Sequence, residues 1–89
     1  MPVLSMFYGI VVYMYFYDNK QHQLPHFHVE YGEQAAVVSI ADGSVLAGGL
    51  QCNKMKLVEA WLEIHREELL ADWNLAVRGI PPEKIRPLN

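Results

Sequence analysis

The chain has 89 residues, 52% of them hydrophobic and 11% aromatic, and seven Lys or Arg against ten Asp or Glu give a formal net charge of −3. One domain of this size buries only about 60 to 65% of the surface its unfolded chain exposes, so this apolar content argues against disorder and for a homo-oligomer or a small protein partner that covers part of it. The scattered cations form no basic patch, which disfavours nucleic acid, and the lone cysteine, Cys52, excludes an intramolecular disulfide or a cysteine-based zinc site and fits a reducing, cytoplasmic setting.

The apolar opening from Met1 to Tyr17 has neither a basic leader nor a small-residue cleavage site, and it is shorter than the roughly 20 residues of a spanning helix. No membrane role is expected. Its Tyr and β-branched content predicts strand instead, with Met1 to Tyr8 as an edge strand or arm set off by Gly9. Ile10 to Tyr17 predicts a central strand, with Ile10, Val12, Met14 and Phe16 on one side and Val11, Tyr13, Tyr15 and Tyr17 on the other. Asp18 to Gln21 is turn chemistry, Pro25 enforces an extended entry, and His26 to Tyr31 alternates again. Gly32-Glu33 predicts a tight hairpin, Gln34 to Ile40 a further strand, Asp42-Gly43 a second hairpin, and Ser44 to Ala47 a short strand running into Gly48-Gly49.

From Asn53 the hydrophobic period becomes 3.6. Asn53 is the expected N-cap of a helix reaching about Arg78, with Gly79 at C′ and Pro81-Pro82 as a stop, and residues 79–89 as an extended tail. Val58, Trp61, Leu62, His65, Leu69, Trp73 and Ala76 share one stripe, opposite Lys56, Glu59, Glu63, Glu67, Asn74 and Arg78. Such a helix would be about 37 Å long at 1.5 Å per residue, which overhangs a small sheet, so a break near Arg66 to Leu70 into two helices is a natural alternative. The predicted fold is α+β in a single domain over residues 1–89: an antiparallel meander of three to five strands over residues 1–50, packed on a long amphipathic helix over 53–78.

The helix stripe needs an apolar partner, and the sheet face with Met14, Phe16, Phe27, Val29 and Val38 has no polar member to desolvate. Alternation then puts His26, His28 and Glu30 on the other face beside Tyr13, Tyr15 and Tyr17, while His65 looks into the core with a backbone group or Tyr31 as its expected partner. His26 and His28 fit a ligand pair for a divalent transition metal such as zinc, with His22, Asp18 or Glu30 as a third ligand; the reading favoured over it is a solvated or interface face whose charge shifts with pH. Gly48-Gly49 lacks the spacing and Lys of a phosphate loop, and no Ser or Cys sits in an activating context. Two functional readings follow. One is a protein-interaction module that uses Tyr13, Tyr15, Tyr17, His26 and His28 as its contact face; the other is a metal-dependent or general acid–base enzyme built on His22, His26 and His28.

Ser5-Met6-Phe7-Tyr8-Gly9-Ile10, the Tyr-rich strand, Pro25-His26-Phe27-His28 followed by Tyr31-Gly32, Leu57-Val58 with Trp61, then His65-Arg66-Glu67-Glu68-Leu69 and Trp73, resemble the small bacterial proteins grouped as domain of unknown function 4160. The resemblance covers nearly the whole chain. Leu24-Pro25 replaces the usual pair of prolines, and Gln51 stands where a proline commonly follows Gly-x-Leu. The resemblance carries no catalytic residues. It implies a protein partner, since members are often encoded beside another small protein in an arrangement that looks like a toxin–antitoxin pair, and the acidic charge here argues against a toxin that grips RNA phosphates.

Overall fold

The computed structural model describes residues 2–17 and 24–88. Five strands precede one helix: β1 (Val3–Phe7), β2 (Ile10–Tyr13), β3 (His26–Tyr31), β4 (Gln34–Ser39), β5 (Val45–Gly49) and α1 (Cys52–Ala76). The strands form one antiparallel sheet in chain order, β1-β2-β3-β4-β5, as a meander of turns requires. Tyr8 and Gly9 both have positive φ (49° and 79°), the I′ pattern that matches strand twist, and they close the first hairpin with Phe7 opposite Ile10.

The register sets two rows. Val12, Val29 and Ala36 align across β2, β3 and β4, as Phe27 and Val38 do across β3 and β4, and all of these are buried. With Ile10 and Met14 they meet Val58, Trp61, Leu62, Leu69, Trp73 and Ala76, so the predicted helix stripe is the core. Trp61 sits at the centre, 5.4 Å from the Phe7 ring and 5.9 Å from that of Phe27. Each such side chain contributes about 1.5 to 3 kcal/mol by leaving water.

The second strand is shorter than predicted. It ends at Tyr13 rather than Tyr17, and although Met14 stays in the core, Phe16 is 40% exposed rather than turned to the helix. The chain leaves the sheet here to reach the helix end. Tyr17 takes a left-handed φ of 57° and donates its N–H to the Ala76 carbonyl (3.0 Å), which ends the alternation. Its ring lies over Gly79, where φ is 75° and a Cβ would collide with the Tyr17 hydroxyl.

The helix begins at Cys52 with Gln51 as its N-cap, not at Asn53, and no side chain caps it. A tether replaces the cap: Gln51 N–H donates to Gln34 Oε1 (2.8 Å), and its carbonyl accepts from Lys54 and Met55. A straight helix of 25 residues would span about 37 Å at 1.5 Å per residue. The helix bends at His65 (φ −116°, ψ 21°), where two helical segments meet across a kink, one residue ahead of the predicted break. Beside it, Arg66 Nε donates to the Ile40 carbonyl at 2.9 Å and fixes the bend to the end of the sheet.

At the C-terminus Ile80 N–H returns to Leu75 and Gly79 N–H to Ala76, both at 3.0 Å, the paired bonds of a Schellman motif around Gly79. The tail that follows is a strap. Ile85 is buried and donates its N–H to Leu4 of β1 (2.8 Å), and the Arg86 carbonyl accepts from Trp61 Nε1 (2.9 Å). At Gln51 the φ of −59° is already that of proline. Gln51→Pro exchanges one exposed hydrogen bond for a stiffer unfolded chain, and thermal or urea unfolding is expected to move by no more than about 1 kcal/mol.

Candidate functional site

The face of the sheet away from α1 carries the second row, in which Tyr13 pairs with His28 and His28 with Val37 and, beyond it, Ala47. Tyr13 stacks on His28 at 5.3 Å and 18° between ring planes, and Tyr15 meets both rings edge-on, at 4.7 Å from His28 and 5.4 Å from Tyr13. The Tyr13 hydroxyl donates to Glu30 Oε1 at 3.1 Å. Burial first, then the hydrogen bonds with Tyr15 and Glu30, push the Tyr13 phenol well above the ordinary tyrosine range. Tyr13 is therefore a fixed donor.

His26 continues this row to the end of β3. It is fully buried, with its ring 5.4 Å from His28 and 4.7 Å from Trp73, so a side chain of the helix covers it. Its Nδ1 lies 2.8 Å from the Leu24 carbonyl, which can only accept, so Nδ1 carries the hydrogen. Of the residues expected on the contact face, Tyr15 and Tyr17 are exposed, His28 is partly exposed, and Tyr13 and His26 are buried. The face holds Tyr13, Tyr15, His26, His28 and Glu30 as alternation predicts. Tyr17 leaves it for the helix end, because the strand stops four residues early.

His26 and His28 converge as a pair, whereas Asp18 and His22 lie outside the described residues. Among the described residues no group of three His, Cys, Asp or Glu is placed to hold a metal ion. His65 keeps apart from this pair. It is buried against Trp61 (5.6 Å), and its Nδ1 partner is Glu68 Oε1 at 2.6 Å, not Tyr31 or a backbone group, a contact that the local i,i+3 spacing supplies.

Next to the aromatic ridge lies a hollow of about 230 Å³, lined by Tyr13, His28, Ala35, Val37, Ala47 and Gly48 among others. It exists because β4 and β5 carry small residues where β2 and β3 carry rings. Gly48 is required there: its φ is 70°, and a Cβ would fall on the Ala35 carbonyl oxygen.

Sequence periodicity had no place for Asp72. It is buried within the helix stripe, where Oδ1 accepts the Glu83 N–H of the strap at 3.0 Å and Oδ2 has no hydrogen-bond partner among the described residues. Burial, with smaller contributions from the charges of Glu83 and Glu68, raises its pKa to about 6 against the lowering by the Glu83 N–H.

The architecture is that of a small two-layer α+β protein, one meander and one bent helix, with an aromatic and imidazole ridge on the helix-free face. The chain belongs to the family described as domain of unknown function (DUF4160), whose profile matches residues 9–74. No curated protein and no solved structure matches it. No helix among the described residues is long and apolar enough to cross a membrane.

Because the folded pKa of Asp72 lies above the unfolded value, its proton favours the folded state: this contribution is complete below about pH 4 and is lost as pH rises through about 6. Asp72→Asn keeps the acceptor for Glu83 and removes the buried charge. Chemical denaturation across this range should show a flatter pH profile for the variant and a gain on the order of 1 kcal/mol above neutrality, part of the benefit being offset by the buried amide N–H.

Proposed function

We propose that this protein is an interaction module that docks through the helix-free face of its sheet, with a second copy of the chain as its first partner, and that it serves as one component of a toxin–antitoxin-like pair. One observation carries the docking reading. A ridge formed by Tyr13, Tyr15 and His28 stands directly beside the hollow over Ala35, Val37 and Ala47, so a two-fold axis between them would seat the ridge of each copy in the hollow of the other. Rings of this kind bury a large area with few rotatable bonds, which concentrates binding energy in a few anchors.

The Glu30 carboxylate of this face accepts a hydrogen bond from the Tyr13 hydroxyl, which holds its side chain in place beside the ridge. The small-protein pairing belongs to the resemblance and is carried by it alone.

Light scattering coupled to size-exclusion chromatography tests the docking reading. The wild type is expected to be a dimer. Tyr15→Glu, which places a charge on the ridge, and Ala47→Arg, which fills the hollow from its partner strand, should each raise the dissociation constant by about 100-fold, the scale of a hot-spot loss. A monomeric wild type, or dimers that survive both substitutions, would rule this surface out.

A further inference from the structure

We infer that the groove between β1 and the C-terminal strap is a second binding site, which takes an extended peptide segment with alternating apolar and acidic side chains. The groove encloses about 420 Å³ and is lined on one wall by Val3, Leu4 and Met6 and on the other by Lys84, Ile85 and Arg86. Its walls are fixed, because Leu4 and Ile85 are buried in the core beneath it and the bond from Ile85 N–H to the Leu4 carbonyl joins them, while Val3 and Met6 present its apolar surface.

The rim is cationic. In a chain of net charge −3, two of the seven Lys and Arg residues stand here on either side of Ile85, and no lining residue is acidic. Both are exposed. The ion pairs among the described residues are His65 with Glu68 and Arg66 with Glu63, so no carboxylate there engages Lys84 or Arg86. An acidic ligand repelled by the overall charge is thus drawn to this groove.

Shape selects the ligand's form. Met6 is 65% exposed at the rim, and so open a groove cannot enclose the roughly 70 to 90% of a small molecule's surface that ligand pockets bury. An extended peptide has no such need. It turns alternate side chains to opposite sides, so apolar ones can lie on Val3 and Met6 while acidic ones meet Lys84 and Arg86. A nucleic acid strand offers anions for the rim but no apolar side chains for the apolar surface.

Fluorescence polarisation with a short labelled peptide of alternating valine and glutamate, added to the full chain, tests the site. Saturable binding that weakens with salt is expected, with a loss of about tenfold or more in a Lys84→Glu, Arg86→Glu variant and a smaller loss when both are changed to Gln. Tyr15→Glu should leave it unchanged, which separates this site from the dimer surface. Absence of binding, equal binding of a valine–lysine peptide, tighter binding of a single-stranded oligonucleotide, or an undiminished affinity in the charge-reversed variant would each overturn the inference.

Discussion

One helix packs against one sheet, and a strand turns its side chains alternately to its two sides, so every second residue of β2, β3 and β4 has no helix to bury against. The inner row of Val12, Val29 and Ala36 uses the helix fully. The outer row solves its exposure differently. Tyr13 is buried with Tyr15 and His28 packed on it, and His26 is buried with the Trp73 ring of α1 against it. The outer face is thus ordered by its own ring contacts, and a second layer would have a preformed surface to meet.

The helix itself is over-length for its sheet, and two features of the fold answer to that. Bending at His65 keeps Val58, Trp61 and Leu62 on one half and Leu69, Trp73 and Ala76 on the other against the same core. The strap then runs back from the helix end to β1, tied by Asp72 to Glu83, by Leu4 to Ile85 and by Trp61 to Arg86. Trp61 gains its indole partner from this return, since a buried indole N–H without an acceptor would cost about 1 to 3 kcal/mol. The strap therefore belongs to the core as much as the strands do.

The elements themselves were readable from local chemistry. Alternation placed β1 to β5 and assigned His26 and His28 to the outer face, while the 3.6 period found every buried residue of the helix but Asp72. What escaped reading depends on contacts distant in sequence. The early end of β2 follows from the Tyr17 bond to Ala76, and the start of α1 from the tether between Gln34 and Gln51, neither of which leaves a local pattern. Asp72 reads as a surface carboxylate until the strap folds over it with a backbone N–H. The hollow beside the ridge was equally hidden, because Ala35, Ala47 and Gly48 become a shape only once the register is known.

Chemically, the Tyr13 phenol at the base of the ridge is held in its protonated form. A general acid or base works best with a pKa near the operating pH, yet burial and two hydrogen bonds drive the Tyr13 phenol away from it and keep it donating to Glu30. The Nδ1 hydrogen of His26 is committed to the Leu24 carbonyl, within a ring sealed on one side by Trp73. These commitments fix the orientation of the groups behind the surface, while Tyr15, exposed and held edge-on by two rings, is presented with little freedom left to lose. An aromatic side chain ordered before contact is what binding to another protein uses most efficiently, because the entropy of fixing it has already been met in folding.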